Sequence, residues 1–392
     1  MARRKPEETK STPALSAVAK RFGAFKPAPE VLRTVRSVRT RFIQYDWATR
    51  VGGHPIERST IVHGPSNEGK TLFLIGLEGS FVEQGHFAQH GDAERTTTKE
   101  WVDELLGEGF CDRNRERFYA SRPDSYEAFV DEVREFHQAV KASREAGEVP
   151  ENTTAITVVD SLRKLVPEDI MKKILKEGAS GEKGSVDGMG GRAAQIRAAM
   201  NAAWMDELVP LLDRCGTSFV AIARESEDPN ADMWAKKFGN DYKVGGGKAV
   251  IYDAALVLRI QRDGWIKLGE GEKAEIIGER HKITIRKTKV GGKEGRVTVA
   301  YFHTSNGKSS PEGFDPTRDV IELALKLGVL KQENSRYTWP SRSAKPFANG
   351  RENLVIGLRE AEDDRKILEE ECRSAFSAVA PEEETETEEG EA

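Results

Sequence analysis

The chain has few cysteines and no long apolar run. Its three cysteines, Cys111, Cys215 and Cys372, lie far apart without a CxxC pair, which excludes a disulfide framework and a cysteine zinc site. No segment approaches the ~20 consecutive apolar residues of a membrane-spanning helix. The first residues, MARRKPEETKSTPALSAVAK, lack the apolar core of a secretory signal. We therefore expect a reducing, cytoplasmic location and no membrane partner.

Charge is distributed unevenly along the 392 residues. The formal net charge is −5, yet the last twelve residues, PEEETETEEGEA, hold seven glutamates and no lysine or arginine. Without these seven negative charges the rest of the chain has a net charge of +2. An acidic tail can compete with nucleic-acid phosphate for the protein's own basic side chains, or it can simply be a solvated tail. Both interpretations stay open.

Apolar strand patterns alternate with helical patterns through the middle of the chain. The strand patterns are Ser59–His63, Ile156–Asp160, Ser218–Ala223 and Ala254–Ile260, and the helical patterns are Lys70–Val82, Thr98–Leu106, Ser125–Ala146 and Arg192–Leu212. Such alternation predicts an α/β fold with a mostly parallel, twisted sheet flanked by helices. Lys282–Lys289 and Val297–Thr304 read as a further strand pair, joined by KVGGKEG.

Composition also suggests where domains begin and end. We expect residues 1–12 to be disordered, 13–40 to form an N-terminal segment with a short amphipathic helix, and 41–312 to form the main domain. Residues 313–376 read as a small C-terminal α+β domain with a helix near Asp319–Leu327, and 377–392 as the acidic disordered tail.

The most specific motif is a GxxxxGK[ST] loop between a predicted strand and a predicted helix. Backbone N–H groups of such a loop surround phosphate, the lysine reaches the β and γ phosphates, and the threonine helps to hold Mg²⁺. A carboxylate beside phosphate is unfavourable unless its side chain points to solvent, so Glu68 predicts modest nucleotide affinity. The expected nucleotide-binding residues are Gly64, Pro65, Ser66, Asn67, Glu68, Gly69, Lys70, Thr71 and Leu72.

Two carboxylates downstream of the loop complete a candidate catalytic set. Asp160 ends the apolar strand TVVD, where a carboxylate can hold Mg²⁺ and its water shell. Glu94 follows a weaker strand pattern at His86–His90 and is a candidate for orienting the attacking water. From the residues alone, Glu94 could equally be an exposed loop carboxylate.

Together these residues resemble the RecA/Rad51 recombinase family, closest to bacterial RecA and its phage relatives. The similarity extends from about Leu15 to Phe376 and is most specific in GPSNEGKT, in AspAlaGlu at 92–94 and in ValAspSer at 159–161. It implies a RecA-type P-loop NTPase core that uses ATP and Mg²⁺, with Glu94 as the catalytic carboxylate and Trp101 stacked on adenine. ALSAVAKRFG resembles the family's N-terminal oligomerisation helix.

The resemblance also implies two DNA-facing loops. The first would span Glu177–Gly191, which is too rich in glycine to predict a regular element, and the second Glu225–Gly247. Basic residues interleaved with aromatic ones suit single strands, because lysines neutralise phosphate while rings contact bases. A surface loop whose rings pack on the domain remains the alternative. The candidates are Arg192, Trp234, Lys236, Lys237, Phe238, Lys243, Gly245 and Gly246.

Two further positions concern the γ-phosphate. Lys287 and Lys289 resemble a family lysine pair that reaches the neighbouring protomer's ATP, although a basic strand edge that deters aggregation would look the same. Where the family carries a glutamine or histidine sensor, this chain has Arg224-Glu225. Either Arg224 takes that role, since a guanidinium can contact phosphate, or coupling between ATP and DNA is weakened or rewired.

The expected function is therefore that of a DNA-dependent ATPase in DNA recombination and repair. It would form helical homo-oligomers on single-stranded DNA and exchange strands with homologous duplex DNA, in the cytoplasm and associated with the nucleoid. Loader or single-strand-binding proteins are possible partners. A recombination mediator that binds nucleotide and DNA without strand exchange, favoured by the departure at Arg224, is one alternative. A ring-forming RecA-type helicase is the other.

Overall fold

The computed structural model describes residues 34–172, 186–234, 241–268, 274–291, 295–302 and 313–375. Side chains at 186–193, 268, 275, 295–302 and 344–346 are outside that description. The chain divides into two compact units, Met1–Val35 and Arg36–Ala392, and every element named below belongs to the second. The predicted N-terminal helix and acidic tail fall outside the described residues. Within the described ranges, no helix combines the length and apolarity needed to cross a membrane.

Strands and helices alternate through the first two thirds of the described chain. In order they are β1 Ser37–Val38, α1 Ile43–Thr49, β2 His54–Pro55, β3 Ser59–His63, α2 Lys70–Glu83, β4 Phe87–Asp92, α3 Lys99–Leu106, α4 Phe110–Arg113, β5 Phe118–Ser121, α5 Tyr126–Glu145, β6 Ala155–Asp160, α6 Val186–Cys215, β7 Ser218–Ile222, β8 Glu225–Glu227, β9 Tyr242–Val244 and α7 Lys248–Asp253. Then follow β10 Leu256–Leu268, β11 Glu275–Thr288, β12 Gly295–Phe302, β13 Gly313–Phe314, α8 Pro316–Lys326, β14 Lys331–Glu333, β15 Arg336–Trp339, β16 Ser343–Asn349, α9 Arg351–Glu360 and α10 Glu362–Ala375.

A nine-stranded sheet in the order β13-β12-β11-β10-β3-β7-β6-β4-β5 forms the centre of the described fold. The strands from β10 to β5 are parallel, and β11, β12 and β13 extend the sheet antiparallel from β10. Parallel strands separated by helical crossovers confirm the predicted α/β class. The predicted pair near Lys282 and Val297 is also confirmed, as the antiparallel pairing of β11 with β12.

The core follows from the strand composition. Residues such as Ile61, Val159 and Phe219 point to one face of the sheet, where they join side chains of α5 and α6 in one buried cluster. Their neighbours along the strands, among them Val62 and Val158, are equally buried. Strands buried on both faces need continuous apolar sequence, because successive side chains point to opposite sides. This explains why apolar runs located the central strands.

The edge hairpin is longer than the sequence pattern suggests. The predicted strand Ala254–Ile260 continues in the structure to Leu268 and pairs with β11 over almost its whole length. Beyond Ile260 the sequence QRDGWIKL contains four charged or amide side chains, and among the described side chains there Ile266 and Ile277 form a small buried cluster of their own. Backbone pairing rather than apolar burial therefore defines this extension.

One sequence-based expectation is wrong at the start of α6. Glycine content predicted no regular element over Glu177–Gly191, but the structure has helix from Val186, so residues 186–191 are helical. Residues 177–185 are outside the described part. Glycine costs only about 1 kcal/mol per helical position, and a helix that continues to Cys215 can propagate through several such positions.

The C-terminal part of the second unit packs α8, α9 and α10 beside the small sheet β14-β15-β16. A buried polar network connects it with α1. Arg373 of α10 donates to Asp46 over 3.0 Å, and Gln44 Nε2 donates to Asp319 Oδ1 of α8 over 2.7 Å. Both carboxyl groups are buried. Burial raises the pKa of Asp46 to about 7, even with Arg373 beside it, and that of Asp319 to about 8.

We expect Asp319→Asn to stabilise the protein at pH 8 but not at pH 5. A carboxyl group whose pKa is higher in the folded than in the unfolded state binds a proton on folding, so wild-type stability falls as pH rises from about 4 to 8. Because asparagine does not titrate, the variant avoids this loss. Its free energy of unfolding at pH 8 should exceed that of the wild type by about 1 kcal/mol or more, since one unit of pKa difference corresponds to about that amount. Urea unfolding at both pH values measures the effect, and equal changes at the two would contradict it.

Candidate functional site

The phosphate-binding motif lies at the carboxyl edge of the parallel strands. It connects the end of β3 with the first residue of α2, Lys70. Three of its residues have positive φ angles, Gly64 at 148°, Asn67 at 60° and Gly69 at 84°. A turn of this kind in front of a helix directs backbone N–H groups toward one point, where the helix dipole also favours an anion.

A cavity of about 480 Å³ opens above this loop. It brings together, from separate elements, nearly all residues that the sequence motifs singled out for nucleotide. Only Pro65 among the motif residues is missing from the lining of the described cavity; its carbonyl accepts a hydrogen bond from Lys70 Nζ. The lining consists of Gly64, Ser66, Asn67, Glu68, Gly69, Lys70, Thr71, Leu72, Glu94, Trp101, Asp160, Ser161, Arg163, Lys164, Ile222, Arg224, Glu225 and Glu279.

The hydroxyl and carboxylate expected to hold Mg²⁺ are adjacent. Thr71 Oγ1 donates to Asp160 Oδ2 over 2.5 Å. Burial raises the pKa of Asp160, and the charge of Glu94 raises it further, against the hydrogen bond from Thr71. Within the described ranges, no group of three or more histidine, cysteine or acidic side chains could hold a metal by itself. One carboxylate and one hydroxyl suit a Mg²⁺ ion whose other ligands are phosphate and water.

Glu94 lies at the mouth of the cavity, beside Asp160. Its backbone N–H donates to the carbonyl of Asp160 over 2.9 Å, and Ser161 Oγ donates to its carboxylate over 2.7 Å. The pairing of β4 with β6, which sets Asp92 opposite Asp160, puts the segment AspAlaGlu next to ValAspSer. Hydrogen bonds to one face of the carboxylate leave the other lone pairs available to a water molecule.

Acidic groups from four segments surround Lys70. Burial lowers the pKa of its ammonium group, whereas Asp160, Glu225, Glu68 and Glu94 all act in the opposite direction. The ammonium group remains next to the loop through the carbonyl of Pro65. A charged amine that donates to a neutral carbonyl is well placed to exchange that contact for a phosphate oxygen.

The far side of the loop is fixed by the β10–β11 hairpin. The Glu68 carboxylate accepts a hydrogen bond from the backbone N–H of Arg262. Arg262 Nη2 donates to the carbonyl of Asn67 over 2.9 Å, and its Nε to Glu279 over 2.6 Å. His281 Nδ1 lies 3.0 Å from the carbonyl of Glu68. This arrangement satisfies the carboxylate that would otherwise repel phosphate.

Comparisons with known proteins agree with this geometry. No protein-family model matches the chain. The curated relative named Protein RecA from Aquifex pyrophilus is 27% identical to this chain over 377 residues. The aligned region covers 94% of this chain and 92% of the relative. The protein of that name from Chlorobaculum parvum is 25% identical over 348 residues, covering 89% and 86%. The protein of the same name from Bacillus subtilis is 24% identical, and the aligned region covers 93% of this chain and 90% of the relative. The chain is therefore similar to proteins named RecA over about nine tenths of its length.

The lysine pair expected to contact γ-phosphate does not line the cavity above the phosphate-binding motif of its own chain. Lys287 Nζ donates to the carbonyls of Ile251 and Tyr252 at the end of α7, each over 2.6 Å, and Lys289 Nζ to that of Tyr252. Burial and the neighbouring Lys289 lower the pKa of Lys287 to about 8. A role toward the ATP of another subunit stays a prediction.

The segment expected to contact DNA, Glu225–Gly247, begins with β8 and contains β9 near its end. β8 and β9 pair antiparallel as a short ribbon. Lys243 forms an ion pair with Asp228 at 2.8 Å, and Trp234 is 67% exposed. Gly245 N–H donates to the carbonyl of Arg224, and the Gly246 carbonyl accepts from Asn201. Outside the described residues are Lys236, Lys237, Phe238 and the side chain of Arg192.

Sequence reasoning missed four charged residues of the cavity. Arg163 and Lys164 lie three and four residues after Asp160, in the sequence DSLRK that follows β6. Their position just after the strand predicted to hold Mg²⁺ could have indicated a place in the cavity. Glu225 and Glu279 line the opposite wall. They carry no local signal, because their partners are distant in sequence: Glu225 with Arg259, and Glu279 with Arg262.

We expect Gly69→Ala to destabilise the protein more than Gly85→Ala does. Both glycines have φ near +80°, which costs an alanine roughly 1–2 kcal/mol. A Cβ at Gly69 would also approach His281 to 2.4 Å, whereas a Cβ at Gly85 meets nothing within 4 Å. The difference between the two unfolding free energies, measured in urea, therefore isolates the contact with His281. Equal losses would mean that the hairpin does not constrain the loop.

Proposed function

We propose that the chain is a DNA-dependent ATPase that assembles on single-stranded DNA and promotes homologous pairing and strand exchange in recombination and repair. The observation that carries the proposal is the convergence of Lys70, Thr71, Asp160 and Glu94 on one cavity at the carboxyl edge of the sheet. Relatives with the name RecA that cover nearly the whole chain support the same conclusion.

In the proposed reaction the chain positions ATP and water rather than forming a covalent intermediate. The loop from Gly64 to Thr71 binds the β and γ phosphates, with Lys70 beside them, and Trp101 stacks on the adenine. Mg²⁺ held by Thr71 and Asp160 would neutralise charge on the phosphates. Glu94 orients a water molecule, whose oxygen bonds to the γ phosphorus as the bond to the β–γ bridging oxygen breaks. The products are ADP, phosphate and a proton.

DNA would bind at the segment bounded by the β8–β9 ribbon and at the start of α6. The exposed ring of Trp234 supports this proposal, since an aromatic side chain in solvent is available to stack on bases. Lys243 and Arg192, together with Lys236, Lys237 and Phe238, would supply phosphate and base contacts, with Gly245 and Gly246 allowing close backbone approach. Single-stranded DNA binds first, and homologous duplex DNA is the second substrate.

A filament would complete the ATP site from two copies of the chain. Lys287 and Lys289 would leave the α7 carbonyls and contact the γ-phosphate of the ATP bound by the neighbouring subunit. Arg224 would contact the γ-phosphate of the ATP bound by its own subunit. Head-to-tail contacts of this kind give an open helical polymer. Loader or single-strand-binding proteins would act on this polymer, in the cytoplasm and with the nucleoid.

One observation favours a second candidate, a recombination mediator that binds nucleotide and DNA without strand exchange. Glu225 introduces a carboxylate into the wall of the nucleotide cavity, beside Arg224. If this charge uncouples nucleotide from DNA, both ligands would bind but turnover would not depend on DNA. The two candidates differ in that dependence.

We expect single-stranded DNA to increase ATP turnover at least about tenfold, and duplex DNA to increase it less. The reason is that assembly on the single strand brings the lysine pair to the neighbouring ATP, and such a cation in trans adds large rate factors. Phosphate release with no DNA, single-stranded DNA or duplex DNA measures this. Lys70→Ala, expected to lose ATP binding, is the control for contaminating ATPase. If neither single-stranded nor duplex DNA changes the rate of ATP turnover, the recombinase proposal is rejected and the mediator is favoured.

We expect Glu94→Gln to bind ATP normally, to lose about 10²-fold or more of its turnover, and to remain on single-stranded DNA. Glutamine keeps the size of the side chain and can still accept from Ser161, but it cannot take a proton from water. Nucleotide titration, phosphate release and dissociation from fluorescent DNA measure the three properties. Glu100→Gln, an exposed substitution on α3, is the matched control. Normal hydrolysis by Glu94→Gln would reject the assignment.

A further inference from the structure

Glu225 occupies a position that touches three parts of the molecule at once. It is the first residue of β8, immediately after Arg224; it is among the residues that line the cavity, and its charge acts on Lys70 there. The same carboxylate accepts from His63 Nδ1 over 2.8 Å. It also accepts from Arg259 of β10 through two bonds, Nε at 3.0 Å and Nη2 at 2.7 Å. One side chain thus connects the ribbon, the central sheet and the cavity.

His63 is the residue directly before Gly64, so this contact fixes the point where β3 becomes the phosphate loop. The side chains of His63, Glu225 and Arg259 are only 2%, 6% and 12% exposed. Burial lowers the pKa of His63, so it donates its Nδ1 proton as a neutral ring. Burial alone would raise the pKa of Glu225, but hydrogen bonds from His63 and Arg259 hold it below its ordinary value.

The other strand of the ribbon joins the same cluster through Tyr242. The Arg259 guanidinium lies 4.1 Å from the centre of the Tyr242 ring, and the rings of His63 and Tyr242 are 5.2 Å apart. Both strands of the ribbon are therefore attached to the same two side chains, His63 and Arg259. A displacement of Glu225 cannot leave Tyr242 unaffected.

Phosphate in the cavity would act on Arg224 and Glu225 in opposite directions. The Arg224 side chain lines the cavity and is exposed, and phosphate attracts it. The adjacent carboxylate of Glu225 is repelled, and its charge already acts on Lys70. In a half-buried cavity these forces are weakly screened. Because the carbonyl of Arg224 accepts from Gly245 N–H, directly after β9, a change at Arg224 and Glu225 reaches both strands of the ribbon at this end.

We propose that Glu225 is a positioning residue that couples occupancy of the nucleotide cavity to the arrangement of the β8–β9 ribbon, through His63 and Arg259. This inference rests on the proposed function, in which the cavity binds ATP and the ribbon borders the DNA segment. Of the alternatives left open for this strand end, it develops the one in which coupling between ATP and DNA is rewired. The proposed coupling depends on the Glu225 carboxylate and its two partners, His63 and Arg259, in place of the single glutamine or histidine side chain expected from the resemblance.

The test uses Glu225→Gln, which keeps the shape of the side chain and removes its charge. We expect this variant to bind the magnesium complex of β,γ-imido-ATP at least as tightly as the wild type, since a negative charge leaves the cavity. Hydrogen exchange of the β8 and β9 amides, measured without DNA, should slow on binding this analogue by about fivefold in the wild type. In Glu225→Gln it should not change. A purely structural role would instead reduce analogue affinity and ribbon protection together.

Glu227→Gln is the matched control, because Glu227 lies on the same strand, is exposed and loses the same charge; it should behave as wild type. Arg259→Met is a second variant in case Glu225→Gln fails to fold, and it should lose the same response. If wild-type exchange ignores the bound analogue, or if Glu225→Gln responds as wild type does, the inference is overturned. If the wild type does not bind the analogue at all, the proposed function fails first.

Discussion

Lys70 is surrounded by carboxylates. Whether phosphate can bind beside it depends on how the fold compensates the negative charge of each carboxylate. An excess of uncompensated negative charge would exclude phosphate from the cavity. Each acidic group therefore has a donor from another element: Asp160 has Thr71, Glu94 has Ser161, Glu68 has the N–H of Arg262, and Glu225 has His63 and Arg259. The order of strands in the sheet provides these donors, since it brings β3, β4, β6, β7 and β10 to one edge.

The parts of the site that the sequence predicts are those whose chemistry is contained in one short segment. The loop GPSNEGKT combines a turn, a lysine and a hydroxyl within eight residues, and TVVDS combines a buried strand with a terminal carboxylate. Their mutual approach was predictable too, because the carboxyl ends of parallel strands share one edge. The location of Glu94 beside Ser161 followed from the same rule, and its proposed role still awaits measurement.

What the sequence could not predict depends on partners distant along the chain. Nothing local indicates that Glu68 bonds to the backbone of Arg262, 194 residues away, or that Glu225 pairs with Arg259 and His63. The prediction of modest nucleotide affinity from Glu68 considered the loop alone and stays a prediction. The glycine-rich start of α6 was misjudged for a related reason: local propensity was read without the long helix that follows.

Charge in the cavity also bears on whether one subunit can complete it. Arg259 and Arg262 stand behind the lining and compensate Glu225 and Glu279. Four basic side chains, Lys70, Arg163, Lys164 and Arg224, then face three acidic ones, Glu68, Glu94 and Asp160. A triphosphate carries several negative charges, so this small excess cannot balance it. Mg²⁺ supplies part of the difference, and Lys287 and Lys289 of a second copy would supply more. This electrostatic shortfall supports the proposal that a second copy of the chain contributes positive charge to the site.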